Sequence, residues 1–86
     1  MRGRKPREID LAPSDQPVLH WIAQSMSLPW YQVQRARIVL AIAAGERTRA
    51  VAEKLNCDDA TVWRVCRRYE LSGLSGLLAN GRRRSA

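Results

Sequence analysis

The sequence predicts an all-α protein: a small helical bundle that contains a helix-turn-helix and carries a basic arm on each flank. Three observations predict it. Apolar residues recur at i, i+3, i+4 spacing in four segments, and no stretch alternates with period two for long enough to make a strand. Two of these segments are joined by only three residues, Asn56-Cys57-Asp58. The length, 86 residues, allows one small domain and leaves no room for a TIM barrel, a doubly wound nucleotide-binding fold or a two-domain enzyme. The boundaries read as a basic N-terminal arm at 1–10, a helical domain at 11–79 and a basic tail or linker at 80–86.

The first helix is expected from Ser14 to Met26. Ser14 is placed to cap it, Asp15 suits the first turn, and Leu19, Ile22, Ala23 and Met26 form one face. Pro17 falls in the first turn, where it loses no intrahelical bond. Ser27-Leu28-Pro29 ends the segment. The second helix runs from Pro29 or Trp30 to Ala44, with Val33, Ala36, Leu40 and Ala43 as its main stripe and Gly45 just past its end. Ile38, Val39 and Ile42 widen the stripe, so this helix is expected at the centre, touched on several sides.

The third helix is short, Arg49 to Leu55, with Thr48 as its cap and Val51, Ala52 and Leu55 inward. Asn56 follows, a residue that tolerates the left-handed conformation a sharp turn needs. The fourth helix starts after Asp58, which can cap it, and runs to Ser72 with Val62, Val65, Cys66 and Tyr69 as its apolar stripe. Gly73 ends it, and Leu74, Leu77 and Leu78 are expected to fold one short turn back onto the bundle. In this corner Ala52 must be small because the fourth helix crosses close to it, and Cys57, Val62 and Val65 plug the angle between the two helices.

The net charge is +7 and the sequence pI about 10.7, which points to a polyanionic partner. The charge is unevenly placed. Residues 1–8 carry Arg2, Arg4, Lys5 and Arg7 against Glu8, and residues 82–84 are three arginines, so each tail has a net of +3 and the centre only +1. Such tails cannot bury a core of their own. They are either solubilising ends or arms that grip phosphate and enter a groove. Arg2-Gly3-Arg4 before Lys5-Pro6 is close to an AT-hook core, in which an extended Arg-Gly-Arg lies in a narrow A·T-rich minor groove. Short basic motifs of this kind also arise by chance.

The outer face of the fourth helix carries Asp59, Ala60, Thr61, Trp63, Arg64, Arg67 and Arg68. This is either a solvated face on a tight helical corner or a recognition helix for the major groove of double-stranded DNA, and three arginines with no acid before Glu70 favour the second. Arg64, one turn in and pointing outward, suits a bidentate guanine contact. Ala60 and Thr61 suit a thymine methyl or a phosphate. Trp63 lies either against the sugar-phosphate backbone or sideways on the third helix. Arg67 and Arg68 suit phosphate, as do Arg49 and Thr48 at the start of the third helix. Arg82 and Arg83 extend the basic surface. Asp59 either reads a cytosine amine and excludes wrong sites or is only a charge near the cap.

The order RGRKPREIDL, then RARIVLAIAAGERTRAVAEKLNCDDATVWRVCRRYELSGLSGLL, then a basic end resembles the N-terminal region of bacterial insertion-sequence transposases of the mariner superfamily. The matching features are Arg35-Ala36-Arg37, Gly45, residues 48–69, Gly73-Leu74-Ser75-Gly76-Leu77 and Gly81-Arg82. The resemblance implies a homeodomain-like or paired-like helix-turn-helix that binds transposon ends. The family's catalytic domain, with three acidic metal ligands, needs on the order of one hundred residues or more and does not fit here. The chain departs from the family pattern in its Asp58-Asp59 pair and in a linker, Gly81-Arg82-Arg83-Arg84, that lacks proline.

The residues offer little to other function classes. No nucleophile–base pair, metal cluster or phosphate loop suggests an enzyme, a cofactor or a small-molecule substrate. Cys57 and Cys66 belong to no CxxC pair, both fall on apolar faces, and the single His20 lies far away in sequence, so no zinc site is expected. No apolar run spans a bilayer and none reads as a signal peptide, which leaves a cytoplasmic protein, nucleoid-associated when bound. The expectation is therefore a site-specific double-stranded DNA-binding domain of transposase type. The alternative is a stand-alone transcriptional regulator, repressor or antitoxin-like, on the same fold. A homodimer or a second DNA contact is expected, since one helix-turn-helix reads few base pairs. Trp21, Trp30 and Tyr31 are either a partner surface or the rim of the first two helices.

Overall fold

The computed structural model describes residues 9–78. Among them five helices follow in order: α1 (Asp15–Ala23), α2 (Trp30–Ala43), α3 (Thr48–Lys54), α4 (Asp59–Ser72) and α5 (Leu74–Leu78), with no strand. The all-α expectation holds. The core is one cluster to which every helix contributes, from Leu19 and Ile22 through Ile38, Val39, Val51, Val62 and Cys66 to Leu77. α2 lies at its centre and touches all four other helices. Leu40 and Ala43, expected in its main stripe, are only half-buried, and Ala41 is buried instead. No helix among the described residues is long and apolar enough to cross a membrane.

α1 is shorter than its pattern suggests at its C-terminal end. Ser14 has helical backbone angles and makes no side-chain cap bond. The chain enters through a turn in which the Asp15 N–H donates to the Ala12 carbonyl at 2.9 Å. A capping hydroxyl needs extended backbone beneath it, and Ser14 does not have that. At the other end the Ser25 hydroxyl accepts from the Ser27 and Leu28 N–H groups at 3.2 and 3.1 Å. This local turn competes with helical propagation. The helix stops at Ala23, and Met26, expected on the buried face, is 98 % exposed.

α3 begins one residue early, so Thr48 is its first residue and not its cap. Arg47 occupies the cap position with extended backbone and offers no capping bond. The turn to α4 runs from Leu55 to Asp58, with Asn56 at φ +60° as expected. Cys57 is half-buried beside the core. α5 turns back at Gly73, whose φ of +64° with ψ −149° is a conformation that glycine alone adopts without strain. Gly76 then lets α5 approach α4. A Cβ there would stand 2.6 Å from the Arg68 carbonyl oxygen.

Long-range polar links made by Tyr69, Arg35 and Arg37 were not legible in the periodicity. The Tyr69 hydroxyl on α4 donates to the Asp15 carboxylate at 2.6 Å and accepts from the Ala12 N–H at 3.4 Å. Burial first, and this carboxylate second, push the phenol above its ordinary range. The link ties the start of α1 to α4. The Arg35-Ala36-Arg37 run works as a staple. Ala36 is buried, the Arg35 Nη1 donates to the Leu77 carbonyl at 2.9 Å, and the Arg37 Nε donates to the Ala23 carbonyl at 3.1 Å. Each guanidinium also lies over an aromatic ring of α2, Arg35 over Tyr31 at 4.8 Å and Arg37 over Trp30 at 5.6 Å. One helix thereby fastens α1 on one side and α5 on the other.

Candidate nucleic-acid interface

The geometry of α4 follows from its period. Val62, Val65, Cys66 and Tyr69 are buried. Asp59, Ala60, Trp63, Arg64 and Arg67 fall on the exposed side, and Thr61 and Arg68 are half-buried at its edge. The helix starts cleanly because Asp58 caps it. Its Oδ1 accepts from the Thr61 N–H at 2.9 Å and from the Thr61 hydroxyl at 2.7 Å. Those two bonds, the hydroxyl first, with help from the Arg64 charge, hold the Asp58 carboxyl below the usual range. The cap leaves the Thr61 hydroxyl already donating inward, so what it offers a ligand is an acceptor or its methyl group.

The structure distributes the other sequence-expected residues as follows. Arg64 and Arg67 stand exposed on α4, and Trp63 beside them is 50 % exposed. Arg49, on α3, lies 3.8 Å from Glu53 and 3.9 Å from Asp59. All three side chains are more than half exposed, and such pairs contribute at most about 1 kcal/mol. Asp59 thus faces an arginine across the helix-turn-helix. Thr48 is half-buried at the first position of α3. Arg68 is turned toward α5, its Nη1 donating to the Gly76 carbonyl at 3.2 Å. Arg2, Arg4 and Lys5 of the N-terminal arm, and Arg82 and Arg83 of the tail, lie outside the described residues.

Sequence reasoning missed the contribution of α2. Tyr31, Gln34 and Arg35 line a shallow hollow of about 330 Å³ together with Thr61, Arg64 and Arg68 of α4. The available signal was a pair of arginines flanking buried Ala36 in a helix that is otherwise largely apolar, since a charge at the edge of a core calls for a polar partner.

The chemistry of the remaining groups is quiet. Burial, then the Asp58 and Asp59 carboxylates, raise the Cys57 thiol, so it stays protonated and a poor nucleophile near neutrality. Among the described residues no group of three or more His, Cys, Asp or Glu is placed to hold a metal ion.

Compared with known proteins, the chain matches a family model described as a homeodomain-like domain over residues 31–78. The match covers more than half of the chain and takes in α2, after its first residue, through α5; α1 precedes it. No curated protein and no solved structure matches.

Proposed function

The chain belongs to the homeodomain-like domain family, whose helix-turn-helix points to DNA binding, and from that membership we propose that it binds double-stranded DNA at defined sequences. α4 enters the major groove with its N-terminal half toward the base edges. The observation that carries this reading is the outer side of α4. Arg64 and Arg67 stand exposed opposite a fully buried stripe, on a helix whose start is fixed by the Asp58 cap and the left-handed Asn56 turn. Arg64 takes a guanine edge, Arg67 and Arg68 take phosphates, and Thr48 with Arg49 meets the backbone at the start of α3. Ala60 and Thr61 meet a thymine methyl or a phosphate, and Trp63 lies along the backbone. The arms, through Arg2, Arg4, Lys5, Arg82 and Arg83, add affinity in the minor groove or on phosphates.

The sequence resemblance supports a transposase-type domain that recognises transposon ends, and the role is binding and not catalysis. Two copies on two half-sites give such a domain enough base pairs to be selective. Selection of bound duplexes from a random library tests the assignment. With the unaltered protein a consensus emerges. With Arg64→Ala the preference is lost at one position, where a bidentate pair discriminates by about 1–3 kcal/mol. A uniform drop in affinity at unchanged consensus would move Arg64 to the phosphates. Asp59→Ala separates its two roles in the same assay, because tighter binding to every duplex with the same consensus marks Asp59 as a charge and not a reader.

A further inference from the structure

The hollow between α2 and α4 brings together three guanidinium groups from two helices. Arg35 comes from α2, Arg64 and Arg68 come from α4, and no carboxylate among the described residues lines it. Asp58, whose carboxylate interacts with the Arg64 charge, lies outside the hollow and accepts from the Thr61 N–H and hydroxyl. Arg35 and Arg68 are held in place from behind by α5, through the Leu77 carbonyl at 2.9 Å and the Gly76 carbonyl at 3.2 Å. The Arg35 guanidinium is further fixed over the Tyr31 ring. A guanidinium presents five N–H donors in a rigid fork, so a carbonyl bond on one edge sets the plane for an acceptor on another.

We propose that Arg35 and Arg68 form a two-helix clamp, oriented by α5, for one backbone phosphate of the bound duplex. The clamp rests on the DNA-binding reading above and adds to it a contact from α2, outside the helix-turn-helix. Arg64, at the exposed rim, remains with the base edge. A phosphodiester is the ligand that fits. It is anionic, it accepts two parallel N–H bonds from a fork, and it flanks any helix lying in the major groove. Like charge also favours an occupant, since burial and the adjacent Arg68 together make the charged form of Arg35 less favourable than in water, and an anion between them reverses the sign of that interaction. Side chains already set by α5 lose little rotamer freedom on binding.

The test uses the selected duplex and the full chain, with single methylphosphonate linkages scanned along both strands. One linkage is expected at which neutralisation weakens the unaltered protein about tenfold, the scale of one charge-assisted bond, but weakens Arg35→Gln by less than about twofold. Because Arg35→Gln also removes the fork that holds Leu77, a second variant probes the hollow by addition. Gln34→Lys is expected to bind more tightly and to steepen the salt dependence by about one unit, and Gln34→Glu to do the reverse. A linkage profile identical for the unaltered protein and Arg35→Gln, with Gln34→Lys no tighter, overturns the clamp while leaving DNA binding intact. Absence of salt-dependent binding to any duplex overturns both readings.

Discussion

Asp58 shows how much one side chain decides. Its Oδ1 serves the Thr61 N–H and hydroxyl together and thereby fixes where α4 begins. Asp58→Ala is expected to lower stability near neutral pH, read as an earlier midpoint in urea unfolding. The folded-state carboxyl is held below its unfolded value of about 3.9, so its contribution is complete above that value and is lost as pH falls through the folded one. The gap between the unaltered protein and Asp58→Ala should therefore close in acid. Asp58→Asn should keep most of the cap and lose this pH dependence. Asp58 was legible because a cap before an apolar stripe is a local signal. Ser14 and Thr48 carried the same signal and do not cap. Their backbone angles, or the register of the helix they begin, are decided by neighbours that a capping preference does not see. The place of Arg35 in the hollow between α2 and α4 was illegible for a related reason, since its carbonyl partner lies 42 residues away.

At the scale of elements, α5 depends on glycine twice and for different reasons. Gly73 supplies a backbone conformation, whereas Gly76 supplies room. The Cβ of Gly76→Ala would meet a backbone carbonyl, which cannot rotate aside as a side chain can, so α5 must lift from α4. The expected cost is about 1–3 kcal/mol in thermal or urea unfolding. Lifting α5 also withdraws the carbonyls that hold Arg68 and Arg35, so DNA affinity should fall in the same variant. Leu74, Leu77 and Leu78, spaced by Gly76, predicted a short returning turn; α5 is that turn, with Leu77 buried and Leu74 packed on the core, while Leu78 stays exposed. The stripes of α2 and α4 were legible because burial on one side imposes the 3.6 period directly. The end of α1 was not, because a Ser25 turn stops the helix while the apolar spacing continues to Met26.

For the molecule as a whole, affinity and selectivity are expected to reside in different places. Of the net charge of +7, only one unit belongs to residues 9–81. If the arms and α4 together neutralise about six phosphates, log K against log[salt] should fall with a slope of roughly −5 in a titration on the selected duplex. Removing residues 1–8 should flatten the slope while leaving the selected consensus centred on α4 unchanged. The family match spans α2 to α5, and α1 is added to that unit through its packing on α2 and the Tyr69–Asp15 link. The apolar face of α1 was legible in the sequence, while the phenol that latches it was expected only as a core residue.

The aromatic residues have an optical consequence. The chain has three tryptophans and no phenylalanine. Trp21, Trp30 and Trp63 are each at least half exposed. With no indole in the core, intrinsic emission should start near the colour of solvated tryptophan and shift little when the bundle melts, so unfolding is better followed by helical circular dichroism. Trp63 alone shares the outer side of α4 with Arg64 and Arg67. Its quenching, with Trp21 and Trp30 replaced by phenylalanine, should report occupancy of α4 by DNA without an attached dye.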